Sequence, residues 1–441
     1  MFRLPMPIVP LLVVLTVLCR AAIAQNGSPM LETRGQTMGT TYTVKIFDPP
    51  KELASDWREQ IDAELRRVND QMSTYLESSE LSRFNRSEST DWFEVSAETA
   101  MVVAKSLEIF ELSGGAFEVT IAPLVNAWSF GPGKRNHSPP DDEAIAASLE
   151  KVGSSGISVQ NDPPALRKSN PKLTIDLSAI AKGHGVDRVI GVINRLGAKN
   201  VFVEIGGEVR VTGDKAGKRW TVGIQMPDVA GDFVAVAYPI AEKSIATSGD
   251  YRNFFEHEGV KYSHTIDPRT GRPVQHDLAS VSVVADDCMT ADGWATALNV
   301  LGTEKGLALA SKLGLDTLLI SRVADGGYKA AGTGVLAELA DPASESTTQV
   351  AGNTTKDNGG PTILQAWLPL LAFCFVAFAG VLTAMAVGVM AGRRSISGSC
   401  GGLANKREPD GSIACALCSN PDNACKELKA KMQSKVADES S

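Results

Sequence analysis

The chain has 441 residues, of which 43% are hydrophobic, and it carries a formal net charge of −8. These values are ordinary for a globular protein and exclude a disordered, highly charged chain. Because no basic patch stands out, the composition also argues against a nucleic-acid partner.

The N-terminus predicts an export signal. Arg3 precedes an apolar stretch from Ile8 to Leu18, and Ala22–Ala24 has the small-x-small pattern of a signal-peptidase site. We therefore predict a signal peptide over residues 1–24. An uncleaved anchor and, through Cys19, a lipoprotein are the alternatives.

Between Leu31 and Leu339 the pattern mixes strands and helices. Alternating hydrophobicity predicts strands over 41–47, 173–175, 200–205, 220–225 and 278–284. Helices are predicted from near Ser55 to Met72, from a Ser96 cap to Leu112, from Asp176 to Gly197, and over 291–301 and 303–313. Because several strands are adjacent in sequence, the order favours an α+β (mixed α/β) sheet protein over a strictly doubly wound one.

The C-terminal part predicts a membrane anchor. Residues 341–362 are polar and small, as in a flexible linker. A charge-free apolar run over 363–392 is long enough to span a bilayer and ends at Arg393 and Arg394. Because retained arginines usually mark the cytoplasmic side, the domain over 25–340 is expected in the periplasm and the tail over 393–441 in the cytoplasm of a bacterial inner membrane.

Cysteine usage fits this topology. The exported part contains a single cysteine, Cys288, so it can form no internal disulfide. The tail contains a cluster of thiols with C-x₂-C spacing, which suits Fe or Zn in a reducing compartment. These are Cys400, Cys415, Cys418 and Cys425.

The segment from Asp176 to Gly183 predicts an anion site. A strand there runs into a helix, whose free N–H groups and dipole favour negative charge. Lys182 could add its charge to a phosphate. The alternative is that Asp176 only caps the helix and Lys182 is a solvated surface residue.

Two further motifs add chemistry. His264 precedes an Asp-Pro turn and could act as a general acid or base, or be a structural histidine in a polar hairpin. Asp292 and Thr296 are four residues apart on a predicted helix and present hard oxygen ligands that suit Mg²⁺. Their alternative is an acid of the first helical turn and a buried threonine. Together, these motifs indicate Mg²⁺-assisted chemistry on a phosphate ester.

Seven short sequence blocks occur in the order that is typical of a known protein family. The blocks are Thr37–Tyr42, Met72–Tyr75, Ser113–Phe117, Asp176–Gly183, Glu204–Glu208, Ala246–Gly249 and Ser263–Gly271. Over about residues 31–338 the chain thereby resembles the ApbE family of FAD:protein FMN transferases. The resemblance implies a T-fold-like layering of sheet and helices, with transfer of FMN from FAD to a Thr or Ser of an acceptor protein and release of AMP.

The resemblance also implies site residues. Asp292, Thr296 and the backbone carbonyl of Ala179 would hold Mg²⁺, and His264 would activate the acceptor hydroxyl. The residues implied to line the FAD site are Met38, Tyr75, Ala116, Phe117, Glu118, Asp176, Lys182 and Ile266. The chain departs from the family pattern at Glu118, where Asp is frequent, and at His184, where an aromatic residue is common.

The membrane helix and the cysteine tail resemble the small assembly factor of the Na⁺-translocating NADH:quinone reductase. That resemblance implies iron delivery to this reductase, whose subunits, or those of related RNF-type complexes, would be the acceptors of FMN. The alternatives are an orphan cysteine-rich tail and a zinc knuckle without a delivery role. For the domain itself the alternatives are an FAD pyrophosphatase that passes FMN to water and a flavin carrier without catalysis.

Overall fold

The computed structural model describes residues 29–131, 137–225, 227, 234–250 and 253–340. Its principal element is an eight-stranded antiparallel sheet. In hydrogen-bonding order, its strands are β1 (Met30–Thr37), β2 (Thr40–Phe47), β6 (Asn200–Ile205), β7 (Glu208–Thr212), β10 (Ser244–Gly249), β15 (Leu278–Ala285), β16 (Asp316–Arg322) and β17 (Tyr328–Thr333).

The described residues also form smaller sheets, and all of them are antiparallel. A three-stranded sheet contains β3 (Phe93–Glu94), β5 (Pro164–Lys168) and β4 (Ile157–Asn161) in that order. Three strand pairs are β8 (Trp220–Gln225) with β9 (Val234–Ile240), β11 (Phe254–His257) with β12 (Val260–Ser263), and β13 (Ile266–Asp267) with β14 (Arg272–Pro273).

The helices follow the amphipathic pattern of the sequence. They are α1 (Trp57–Met72), α2 (Glu80–Arg86), α3 (Ala97–Leu112), α4 (Ala122–Ala127), α5 (Asp142–Leu149), α6 (Ala181–Arg195) and α7 (Cys288–Leu313). Short 3₁₀ helices cover Ser154–Gly156 and Gly334–Ala340.

The large sheet separates two apolar layers. On β10, Ala246 packs with Val283 in the layer that contains α7, whereas Ile245 packs with Val284 in the opposite layer. Successive side chains of a strand point to opposite faces of the sheet, so both faces of β10 are buried. The sheet is therefore a two-sided scaffold, and α6 and α7 are the helices that carry the predicted site.

Several local predictions are confirmed. β2 buries Tyr42, Val44 and Ile46 on one face, and they pack with α1 and α6. The Ser96 hydroxyl caps α3 by accepting a hydrogen bond from the backbone N–H of Thr99 at 3.2 Å. The strands predicted over 200–205, 220–225 and 278–284 are present as β6, β8 and β15. These signals depend on neighbouring residues alone, so sequence reveals them.

The strand predicted over 173–175 is wrong. Those residues form no strand, and the Asn85 side chain takes the place of a strand partner. Its amide donates to the Ile175 carbonyl at 2.8 Å and its oxygen accepts from the Ile175 N–H at 2.7 Å. A single side chain therefore pairs both backbone groups of Ile175.

The helix predicted to begin directly after Asp176 is also wrong at its start. A turn separates the two, and α6 begins only at Ala181. Asp176 instead accepts hydrogen bonds from the backbone N–H, at 2.8 Å, and the hydroxyl of Ser178. The carboxylate therefore shapes the turn and does not cap α6.

The two helices predicted over 291–301 and 303–313 are the two parts of α7. Gly302 has a non-helical conformation (φ 74°, ψ −179°) and divides them. The first part begins earlier than predicted, at Cys288, where the Asp287 carboxylate accepts from the Thr290 N–H at 2.7 Å.

Candidate active site

The site is built where the starts of α6 and α7 touch. A Cβ atom placed on Gly183 would lie 2.3 Å from the carbonyl oxygen of Cys288 and 2.8 Å from the Asp292 Cβ. Only glycine permits that approach. It lets the Gly183 N–H donate to Oδ2 of Asp292 at 3.0 Å. The predicted anion site and the predicted metal ligand are therefore brought together.

Lys182 lies between two buried carboxylates. Its Nζ is 3.2 Å from Oε1 of Glu208 and 3.7 Å from Oδ1 of Asp292. Each acid is only 4% exposed, whereas the Lys182 side chain keeps 27% exposure. The alternative of a solvated surface lysine is therefore wrong. Asp292 also lies beyond the first turn of α7, so it is not the first-turn acid of the other alternative.

The charges of this cluster perturb one another. Burial opposes the charge on Lys182, but Asp292 and Glu208 outweigh it and raise its pKa above the usual value. Burial raises the pKa of both carboxyl groups, against the lowering effect of Lys182. One cation thus faces two acids in a poorly solvated space, which favours the arrival of a further positive charge.

Glu208 was not predicted as a site residue. It opens β7 directly after Gly206 and Gly207, and its Oε2 is buried with no hydrogen-bond partner in the part of the chain that the structure describes. The sequence signal was only a glycine pair followed by an acid. The contact with Lys182 depends on tertiary packing between β7 and α6.

Asp187 was also missed, and it fixes the start of α7. Its carboxylate accepts from the backbone N–H groups of Cys288 and Met289, both at 2.9 Å, and forms an ion pair with Arg210. Satisfying two free amides at a helix N-terminus stabilises that end. Asp187 therefore ties α6 to α7 and orients the turn that carries Asp292.

His264 is prepared to accept a proton. Its Nδ1 is 3.0 Å from the Asn253 carbonyl oxygen, which can only accept, so Nδ1 carries the hydrogen and Nε2 keeps its lone pair. Burial lowers the pKa of His264, the Asn253 carbonyl and Asp250 oppose this, and the charge of Lys182 adds to it. The imidazole is therefore neutral at neutral pH and lies within electrostatic reach of the cluster.

The predicted FAD residue Glu118 uses its side chain internally. The carboxylate accepts from Thr120 N–H at 2.8 Å and Thr120 Oγ1 at 2.6 Å, and from both the N–H and the hydroxyl of Ser154. These bonds engage both carboxylate oxygens within the protein and fix the Glu118 side chain. Neighbouring Ala116 and Phe117 are buried as well.

The other predicted residues lie on several different elements. Met38 packs on α6, because a Cβ atom on Gly185 would lie 2.8 Å from its methyl carbon. Asp176 is joined to the Glu118 segment through its N–H, which donates to the Val119 carbonyl at 2.7 Å. Tyr75 is 72% exposed, and Ile266 is buried in β13.

The residues predicted to bind Mg²⁺ fit a hard cation. Thr296 lies one helical turn after Asp292 on α7, and Ile180, next to Ala179, packs against the position of Gly293. All three donor groups are oxygens, as Mg²⁺ prefers. Within the described ranges no group of three or more His, Cys, Asp or Glu side chains is arranged for a metal.

The predicted signal peptide, linker, membrane helix and cysteine tail lie outside the described residues. Among the residues that are described, no helix has the length and hydropathy needed to cross a bilayer.

Known proteins resemble this chain over the same region. A model of the ApbE family matches residues 38–319. An FAD:protein FMN transferase of Vibrio cholerae is 43% identical over 317 residues, which are 71% of this chain and 94% of the relative. One from Haemophilus influenzae is 41% identical over 312 residues, covering 69% and 90%.

Solved structures agree with this likeness. The flavin transferase ApbE from Vibrio cholerae is 42% identical, with a TM-score of 0.64 over 69% of this chain and 97% of that one. The apo flavinyl transferase ApbE of Pseudomonas stutzeri is 34% identical, with a TM-score of 0.65 over 72% and 99%. The predicted mixed α/β class is confirmed, and the chain belongs to the ApbE family of FAD:protein FMN transferases.

Proposed function

We propose that the chain is a Mg²⁺-dependent transferase that links FMN from FAD to a Thr or Ser hydroxyl of an acceptor protein and releases AMP. The observation that carries this proposal is the pair formed by Lys182 and the buried Asp292 at the start of two touching helices. A fixed cation beside a buried carboxylate suits a diphosphate substrate that brings a divalent ion with it.

The bond changes balance without a further reactant. The acceptor oxygen forms a bond to the FMN phosphorus, and the bond from that phosphorus to the oxygen bridging to the AMP phosphate breaks. AMP leaves with the electron pair. The proton of the acceptor hydroxyl passes to Nε2 of His264, whose lowered pKa keeps the lone pair available.

Asp292, Thr296 and the Ala179 carbonyl would hold the ion. Bound there, Mg²⁺ supplies positive charge against the phosphate of the leaving AMP. Gly183 keeps the Asp292 carboxylate in position through its N–H. Lys182, held by Glu208, presents its charge from the start of α6. Because burial weakens screening, both charges act strongly on a phosphate.

The proposal extends to location and target, with support from the sequence alone. The signal peptide and the span over 363–392 would place the domain in the periplasm of a bacterial inner membrane. The acceptors would be subunits of the Na⁺-translocating NADH:quinone reductase or of RNF-type complexes. The tail, through Cys400, Cys415, Cys418 and Cys425, would deliver iron to the same reductase.

The deciding experiment incubates the purified protein with FAD, Mg²⁺ and an acceptor peptide that contains Thr or Ser. We expect one FMN on the peptide for each AMP released, measured by mass spectrometry and chromatography. Asp292→Ala should lower the rate by orders of magnitude, whereas Glu304→Ala, exposed on the same helix, should not. Free FMN without labelled peptide would instead identify a pyrophosphatase.

Target and tail are tested separately. Cells that lack this gene should lose covalent FMN from reductase subunits, as read by mass spectrometry. The isolated tail should bind iron or zinc, and a tail that binds neither would contradict the delivery role.

A further inference from the structure

A buried amide lies on the helix that carries the predicted metal ligands. Asn299 is fully buried on α7, three residues after Thr296 and seven after Asp292. Residues with these spacings share one helical face. Asn299 therefore lies on the face that carries the predicted site, one turn further along.

The Asn299 side chain bridges the helix to two other parts of the site. Its Nδ2 donates to Oγ of Ser248 at 2.9 Å and lies 3.5 Å from Oγ1 of Thr265. Ser248 belongs to β10 of the large sheet, and Thr265 directly follows His264. Its own Oδ1 has no hydrogen-bond partner among the described residues. The two hydroxyl contacts are thus the bonds that orient this amide.

The Asn299 backbone contacts the chain segment that follows Thr265 at a second point. Because Gly302 leaves the helical conformation, the Asn299 carbonyl is available to His276, whose Nε2 approaches it at 2.8 Å. A Cβ atom on Gly302 would lie 2.7 Å from the His276 ring. The segment between Thr265 and His276 is therefore attached to α7 near both of its ends.

We propose that Asn299 is a positioning residue, which fixes His264 relative to the helix that carries Asp292 and Thr296. The inference rests on the proposed function, because it assigns Asn299 a role in that reaction. Asn299 touches neither FAD nor the acceptor in this proposal. Its hydrogen bonds to Thr265 and Ser248 keep His264 and α7 in a fixed relative position.

The test replaces Asn299 with leucine, which keeps similar volume and removes both bonds. We expect kcat for transfer to fall roughly 10- to 100-fold, as for other groups that orient a reacting residue, while the Kd for FAD changes less than about threefold. The control is Ser280→Ala, a buried hydroxyl on β15 without a partner among the described residues. It should leave kcat unchanged.

A double-mutant cycle separates positioning from general destabilisation. If Asn299 acts through Thr265, then Asn299→Leu combined with Thr265→Val should be no slower than Asn299→Leu alone. Fully additive losses would overturn the inference, as would a wild-type kcat in Asn299→Leu.

A variant that does not fold and an inactive wild-type protein have different consequences. Should Asn299→Leu fail to fold, Thr265→Val and Ser248→Ala each remove one bond without changing the amide, and normal kcat in both would overturn the inference. If the wild-type protein itself transfers no FMN, the proposed function fails, and the role of Asn299 in that reaction fails with it.

Discussion

In the proposed reaction, His264 accepts the proton of the acceptor hydroxyl. Because Nδ1 donates to a carbonyl, loss of the ring removes the free Nε2 without removing a contact of the Lys182–Asp292 pair. We expect His264→Ala to slow transfer about 100-fold or more and to change the Kd for FAD much less.

Single-turnover rates and flavin fluorescence titration measure these two quantities. His257→Ala, on the β11–β12 hairpin, is the matched control. An equal loss of rate and of FAD affinity would make His264 a binding residue and not a base.

His184 predicts a pH dependence of stability. Burial, together with Arg188, lowers its pKa to about 4, and Nε2 is buried without a partner among the described residues. The unfolded chain therefore binds more protons between pH 6.5 and 4, so this contribution is complete above pH 6.5 and is lost progressively as the pH falls from 6.5 to 4. The loss at pH 5 is about 2 kcal/mol relative to pH 8.

His184→Phe should remove this loss, since an aromatic ring fills the site without a titrating group. The difference in Tm between pH 8 and pH 5 should shrink by roughly 3 °C in the variant. Thermal unfolding followed by circular dichroism at both pH values measures it. An unchanged difference would show that the ring is not buried in its neutral form.

At the scale of elements, the contact between α6 and α7 decides the site. Gly183→Ala should cost about 2–3 kcal/mol and abolish transfer, because the new methyl group would meet the backbone of Cys288 and not a flexible side chain. Urea unfolding and the transfer assay measure the two effects.

Gly191→Ala on the same helix is the control. Its Cβ would meet only the Arg195 guanidinium at 3.5 Å, an ordinary contact. Higher helix propensity should then stabilise the protein by about 0.5–1 kcal/mol. Equal effects of the two substitutions would contradict the role given to the helix contact.

Elements also show how far local sequence predicts structure. The Ser96 cap and the alternation in β2 lie within a few residues of one another, and both predictions are confirmed. The strand predicted over 173–175 failed because its partner is the Asn85 side chain, about ninety residues away. Lys168 supports the same segment by donating to the Leu173 carbonyl at 3.1 Å. Local periodicity contains no sign of such distant partners.

For the whole molecule, Cys288, the single cysteine of residues 25–361, is a probe of global unfolding. Cys288 is fully buried, and burial together with Asp187 raises its pKa well above normal. In a fragment of residues 25–340, a thiol reagent should therefore modify no cysteine in the native state and one in denaturant. Rapid labelling of the native fragment would show that the contact between α6 and α7 opens readily.

Sequence alone determined the family and the main helices and strands, and it predicted most residues of the proposed site, because caps, periodicity and ordered motifs depend on short stretches of chain. Tertiary structure decided what those residues do to one another. It placed Glu208 beside Lys182. It also made the Asp187 carboxylate a hydrogen-bond acceptor for the backbone at the start of α7, and the Glu118 carboxylate an acceptor for Thr120. The physical reason is that burial and charge pairing arise only when distant elements pack, and here that packing depends on a glycine where two helices touch.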